Sequence, residues 1–572
     1  VADERAQLLI KRWDHLFSDL QLWTPTWQEI NELMMPRKSN IQLQRSPGSK
    51  QTEKLMDSTP IHSVELLAAS MQGSLTSGSV RWFFYRIRGL ALGVIPDADK
   101  WLEDASLITY DELRESNFSS EAHEFYIDLS TVGTAAIFID EKKPMPNKPF
   151  AGLRFQTLVP GTYVIDENEE GRVDTLMYKF KLSARNAKSM FGEENLPDRI
   201  KKNLDPTKGN PDQEFDFIHA IFPRRSVPKG YDASGDTPKN RPFASMYVAM
   251  EDQVVLKEGG FHEFPFAVAR WTKTSGEKYG RSPGYTALPD AKTLNKLREL
   301  KLRAMAVMVQ PPLKIRDDGV LGTPRLIPGG LTHVRDMDAV EPLQIPARVD
   351  VANMEEDKLQ AAIRRIFFSD QLQLQEGPQM TAYEVQVRYE LMQRILGPTL
   401  GRLETEFLEP LVERVFNILM RRKRFLPMPP ALVEYRKMGG AFDIEYEGPL
   451  ARAQRLSETV AIQRFLQLVV PMAEFQPDVL DIIDVDKTVQ TIAIATGVPP
   501  SIIHDQETVD AKRNERKQAQ AQQAQAAQAQ ETMKAVGGAA PALKALMEAQ
   551  KSGILPAGGA IGAGVPTGGI GA

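Results

Sequence analysis

Residues 3 to 35 alternate apolar and charged positions at helical spacing, with Trp13, Leu16, Leu20, Trp23, Trp27, Ile30 and Leu33 as candidate buried positions. A further helix is expected from Ser58 through Gly73, where Pro60 suits the first turn. The polar stretch between them, "RKSNIQLQRSPGSKQTEK", reads as a loop or arm. From about 130 to 270 the period shifts toward two, in runs such as "TAAIFID", "GLRFQTLVP" and "FHEFPFAVARW". "DENEEG" between β-rich flanks is a hairpin turn signal, so this region reads as a mixed unit with antiparallel strands.

After Gly280 the pattern turns helical, breaks from Pro311 to Val351, and turns helical again. Asn353 and Glu356 are spaced as a capping box for that returning helix, which is expected to run to about Asp370. "QLQLQEGPQM" interrupts it, and a second box, Thr381 and Glu384, opens a segment that stays helical in pattern to about Arg424. Unbroken, that segment would be ~65 Å long, with Pro398 and Pro410 as kinks. Apolar helical segments from about 455 to 505 precede "KQAQAQQAQAAQAQ" and "AGGAIGAGVPTGGIGA", which are low-complexity and assigned no chemical site.

Composition narrows the function. At 572 residues several packed units are expected, and 42% hydrophobic with 25% charged residues is ordinary for a soluble protein. A formal net charge of -5 argues against coating nucleic acid by bulk electrostatics, so any DNA contact should be local. Absence of cysteine excludes disulfides, thiolate nucleophiles and cysteine-ligated metals. "VADERAQLLIKRWDHLF" lacks the apolar core of a signal peptide, and no stretch nears the ~18 apolar residues of a membrane span. The expectation is a chain neither secreted nor inserted in a bilayer.

Catalytic motifs are missing. Histidines 15, 62, 123, 219, 262, 333 and 504 stand singly, so no metal site is assigned. There is no P-loop, "GSLTSG" fits a helix exit better than a nucleophile elbow, and no cofactor is called. "DENEEGRVDTLM" resembles the start of a calcium loop, but Met177 stands where a bidentate Glu is needed. The carboxylates of "DVLDIIDVD" read as helix caps, and "RRKR" at 421 to 424 as cations on a negative helix end.

One stretch remains, "DAKTLNKLRELKLRAMAVMVQPP" at 290 to 312. Lys292, Lys296, Glu299 and Arg303 are spaced 4, 3 and 4 and share one helix face, with Leu294, Leu297, Met305 and Met308 roughly opposite. The wheel alone leaves two readings open, a solvated face or one that meets a polyanion.

The order of elements, together with "STPIHSVELLAASMQGSLTSGSVRWFFYRI", "YGRSPGYTALPDAKTLNKL" and "MTAYEVQVRYELMQRILGPTLGRLETEFLEPLVERVF", resembles the portal, or head-to-tail connector, proteins of short-tailed bacteriophages. The likeness spans most of residues 55 to 505. It implies an α+β, predominantly helical portal fold assembled as a ring. Its parts would be a wing (1–284), first stem helix (285–310), clip (311–352), second stem helix (353–370), tunnel loop (371–380), long wing helix with adjoining strands (381–450), crown (451–510) and low-complexity tail (511–572). The implied function is a channel at one capsid vertex through which viral double-stranded DNA is packaged and ejected, not an enzyme. Implied partners are further copies of the chain in a dodecamer, duplex DNA, terminase, major capsid and scaffolding proteins and tail adaptors. The implied location is the virion, after assembly in the host cytoplasm.

On that reading Lys296 and Arg303, with Lys292, face or border the channel, while Leu297 and Met305 pack against neighbouring stem helices. Arg364 or Arg365 would add a second cationic ring, although intersubunit salt bridges explain them equally well. Gln373, Gln375 and Gln379 would offer neutral contacts to DNA from the tunnel loop. Competing readings are a non-viral oligomeric scaffold or adaptor, and a nuclease or ATPase acting on DNA.

Overall fold

A computed structural model of the chain describes residues 3–42, 48–53, 55–78, 81–87, 96–144, 146, 150–205, 209–224, 237–316, 333–335, 338, 340–342, 349–372, 397–437, 442–446, 462–469, 471, 488–489, 492, 509, 511–523 and 544. Two units divide the chain. The larger spans residues 1–90 and 97–497; the smaller comprises 91–96 and 498–572, where residues 511–523 form an exposed helix.

The expected helix over 3 to 35 is two helices, α1 (Glu4–Gln21) and α2 (Thr24–Met34). Asp3 caps α1 by accepting from the Arg5 amide, and Pro25 sits in the first turn of α2, where its missing N–H costs no hydrogen bond. Trp13, Leu16, Leu20, Trp27 and Ile30 are buried as expected, while Trp23 and Leu33 are half-buried. A 3₁₀ turn (Pro36–Lys38) follows, then α3 (Thr59–Leu75), strand β1 (Phe83–Ile87), α4 (Pro96–Glu115) and α5 (Phe118–Thr131).

The strand-rich region is antiparallel throughout. β2 (Thr134–Glu141) is flanked by β3 (Leu153–Thr157) and β9 (Phe266–Arg270). A separate five-stranded meander runs β4 (Tyr163–Glu167), β5 (Val173–Ser183), β6 (Glu214–Pro223), β7 (Phe243–Ala249) and β8 (Val254–Phe261). "DENEEG" is the β4–β5 turn: Gly171 takes φ +74, and the Asn168 side chain accepts from the amides of Glu170 and Arg172.

Alternation along β6 and β7 gives this sheet two buried faces. Ile218, Ala220 and Phe222, with Ala244, Met246 and Val248, join Leu9, Trp13, Leu16 and Leu20 of α1 in one core. Phe215, Phe217 and Ala249 pack instead against Ala184, Ala187 and Phe191 of α6 (Ala184–Phe191) and Ile200 of α7 (Asp198–Asn203). Each of the large side chains among them, fully buried, stabilises by roughly 1.5–3 kcal/mol.

Beyond β9 lies α8 (Pro283–Val309), followed by the short ladder of β10 (Leu313–Ile315) with β11 (Val340–Pro342), then α9 (Val349–Ile366) and α10 (Ser369–Leu372). α9 starts four residues before the expected Asn353 capping box. Glu356 does not cap it; that side chain is buried and paired with Lys301 of α8.

The long segment to Arg424 is not one regular helix where it is described. Residues 397–403 are helical, Glu404–Leu408 forms a π turn, and α11 (Glu409–Arg421) follows with Pro410 in its first turn. Buried Arg270 binds a side chain of that turn, its guanidinium donating to both Glu406 oxygens, at 3.1 Å from Nε and 2.7 Å from Nη2. α12 (Pro430–Lys437) and β12 (Phe442–Tyr446) follow, with β12 pairing back on β1, and residues 462–469 of the larger unit are helical.

Candidate nucleic-acid interface

α8 has 27 residues, about 40 Å of helix, and its two halves differ. Its base is locked by close backbone approaches. Gly133, at φ +86, lies so near the chain ahead of α8 that a Cβ there would sit 2.7 Å from the backbone of Arg281 and Ser282. A Cβ on Gly284 would sit 2.6 Å from the Thr131 carbonyl of α5, and the Ser282 hydroxyl donates to that same carbonyl. Ala287, Leu288, Ala291 and Leu294 are buried, with α2 and α5 among the neighbours of α8. An aromatic cluster of Trp23, Trp27, Tyr279 and Tyr285 closes the base, and the Arg281 guanidinium lies 5.1 Å over the Trp23 ring.

Beyond Leu294 no residue of α8 is buried. Ion pairs and α9 hold this outer half. Arg298 pairs with Asp57 and, at 3.1 Å, with Glu356; Lys301 reaches Glu356 at 2.5 Å. Asp57 also accepts from Gln360 of α9 at 3.0 Å and from the Thr59 amide at 2.8 Å. Burial alone would raise the Asp57 pKa, but the bonds from Thr59, Gln360 and Arg298 outweigh it and hold the carboxyl below its ordinary value.

The three expected channel cations are on the exposed side. Lys292 reaches Glu29 of α2 at 2.5 Å, Lys296 reaches Glu299 at 2.9 Å, and Arg303 pairs with the other oxygen of Glu299. Lys296 and Arg303 are the most open, with side chains 61% and 71% exposed. Arg364 and Arg365 are exposed near the end of α9. Gln373, Gln375 and Gln379 lie outside the described residues. Leu297 is half-buried and Met305 is 43% exposed; on the wheel both fall on the side of Lys301, which faces α9.

Two further residues stand beside the ionic face on the same wheel, where helical spacing alone makes them readable. At about 100° per residue, Leu300 falls about 70° to one side of the ionic face and Leu302 about 90° to the other. They are 51% and 49% exposed. Together with exposed Met308, Val309, Val351 and Met354 they leave the α8–α9 pair with large apolar side chains uncovered, which in a single chain marks a contact surface.

Other sequence candidates resolve into structural roles. Arg421 and Arg422 bind Glu263 and Glu141, and Arg424 binds Glu112, so these cations of "RRKR" are tied to carboxylates. His219 is buried, bonded to Tyr178 at 3.1 Å and Ser245 at 2.8 Å, and stacked on Tyr247; burial pushes its pKa down to about 3 and keeps it neutral. Among the described residues no three His, Asp or Glu side chains converge as metal ligands, and no helix is long and apolar enough to cross a membrane.

The described fold is a long two-faced helix returning through a small ladder to a partner helix, beside a strand-rich body. The chain belongs to the bacteriophage head to tail connecting protein family, which it matches over residues 6–503. It is 28% identical to the "Probable portal protein" of Bordetella phage BPP-1 over 90% of this chain and 91% of that one. It is 26% identical to the "Portal protein" of Salmonella phage epsilon15 over 91% of this chain and 93% of that one. These relatives are structural proteins of a non-enzymatic family.

Proposed function

We propose that this chain is one subunit of a phage portal ring, a virion component whose axial channel passes double-stranded DNA during packaging and ejection. The supporting observation is the outer half of α8, where an ionic face is flanked on one side by Leu300 and on the other by Leu302. Flanking contacts that differ on the two sides are head-to-tail, and a head-to-tail contact whose rotation closes makes a ring. The ionic face then points to the axis, and α8 and α9 form the stem.

Residues 311–352 would be the clip, which meets the terminase during packaging and tail adaptors afterwards. Residues 371–380 would be the tunnel loop, with Gln373, Gln375 and Gln379 beside DNA. Residues 451–510 would be the crown, inside a capsid whose major capsid and scaffolding proteins contact the wing. A dodecamer, placed at one vertex after assembly in the host cytoplasm, is the assembly we infer. Lys292, Lys296 and Arg303 would meet passing phosphates, with Arg364 or Arg365 adding cations from α9; Leu297 and Met305 would pack among stem helices.

A net-negative chain suits such a channel, because every phosphate neutralised adds adhesion that a sliding duplex must break. Sedimentation tests the ring. Wild-type protein is expected to form a closed oligomer, whereas Leu300→Asp and Leu302→Asp chains remain monomers and, when mixed, pair into dimers through the one intact flank of each. Rings from either variant alone would refute the assignment of the flanks.

A further inference from the structure

We propose that Glu299 masks the DNA-facing cations, holding Lys296 and Arg303 in an ion-pair ladder that duplex phosphates must open before those side chains can grip them. The inference rests on the channel reading of α8 given above. Residues 296, 299 and 303 stack on one face of the helix, three and four positions apart. Each Glu299 carboxylate oxygen takes one cation: Oε2 accepts from Lys296 Nζ at 2.9 Å, and Oε1 accepts from Arg303 Nη2.

The masking carboxylate sits lower than the groups it masks. Its side chain is 25% exposed, against 61% for Lys296 and 71% for Arg303, so a phosphate approaching the face meets the cations first. Hydrogen bonding from Lys296, followed by the Arg303 charge, holds the Glu299 pKa below its ordinary value and keeps the mask ionised at neutral pH. Lys292 pairs with Glu29 of α2 at 2.5 Å, there with a carboxylate as open as the lysine, so three cations meet two carboxylates and each chain presents a net charge of +1 on this face.

Exposed ion pairs at this spacing are weak, so a phosphate can displace Glu299 and the carboxylate can reclaim its partners as the phosphate moves on. The ladder thereby replaces release into water with transfer between two anions. A channel wall built this way touches DNA at every step without retaining it.

The test is binding of a fluorescent linear DNA duplex by the assembled full-length protein across a salt series, with a covalently closed circular duplex, which cannot thread a ring, as competitor. Glu299→Gln is expected to tighten linear-duplex binding severalfold and to steepen the fall of log K with log salt by about 0.9 for each additional phosphate neutralised. Glu299→Ala should act in the same direction, and adding Lys296→Ala and Arg303→Ala should abolish the gain. Glu214→Gln, an exposed change on β6, is expected to have no effect. If Lys296→Ala with Arg303→Ala weakens binding while Glu299→Gln leaves it unchanged, masking is wrong and the channel reading stands. If none of these variants alters binding, both fail. Equal gains for Glu299→Gln and Glu214→Gln, or a gain competed away by the circle, would overturn the masking as a property of the channel face.

Discussion

The β4–β8 sheet buries apolar side chains on both faces, whereas α8 beyond Leu294 buries none of its own. One face of the sheet packs on α1 together with residues of α2, β2 and β9, and the other packs on α6 and α7. On the outer half of α8 the holding contacts are charged, Arg298 with Asp57 and Glu356 and Lys301 with Glu356, and Leu300, Leu302, Met305, Met308 and Val309 stay open. The first region is covered within the single chain; on the proposed function, neighbouring subunits and passing DNA would cover the second. Stability and function are therefore encoded in different parts of the molecule, and substitutions should separate them.

The largest effect is expected in the covered part. Trp27→Ala removes a ring that is 1% exposed and packed edge-on to Tyr279, and should cost about 3–5 kcal/mol, read as a lowered thermal midpoint. At the boundary between the regions, Asp57→Ala leaves Arg298, Gln360 and the Thr59 amide without their shared acceptor, at about 2 kcal/mol. Hydrogen exchange should then show loosening in α8 and α9 and none in the sheet. Equal loosening of both would break the comparison.

Acid should act with opposite signs on Asp128 of α5 and on Asp57 beside the outer half of α8. Asp128 is fully buried, and burial raises its pKa to about 6 despite Lys38 at 2.5 Å. A carboxyl raised in the folded state contributes stability that is complete below its unfolded value of 3.8 and lost as pH rises through 6. Lowering pH from 7 to 5 should therefore add about 1 kcal/mol through this residue, and Asp128→Asn should flatten the profile. Asp57 runs the other way, since its lowered pKa gives stability present above 3.8 and lost as pH falls through its folded value below that. The smallest effect belongs to Lys296→Ala with Arg303→Ala, which should move the thermal midpoint by less than about 0.5 kcal/mol equivalent because both pairs are exposed.

Local signals in the sequence carried the sheet and much of α8. The "DENEEG" turn, the buried stripe Trp13, Leu16 and Leu20, and the shared face of residues 292, 296, 299 and 303 depend on neighbours a few positions away, and all three stand in the structure. What sequence reading missed depends on distant partners. Glu356 looked like a cap three residues after Asn353 and is instead the partner of Lys301, 55 residues earlier. Glu406 in the π turn at Glu404–Leu408 is bonded to Arg270, 136 residues away, and only the three-dimensional chain brings them together. Pro25 marks the α1–α2 break, although the apolar period continues across it.

The central claim is that the open half of α8 lines the hole of a ring. Electron microscopy of the purified full-length protein tests it most directly. Rotationally symmetric rings with a central hole, and α8 density placing residues 296 and 303 at the rim of that hole, are the expected result. Monomers, filaments, or rings that turn those residues outward would contradict it.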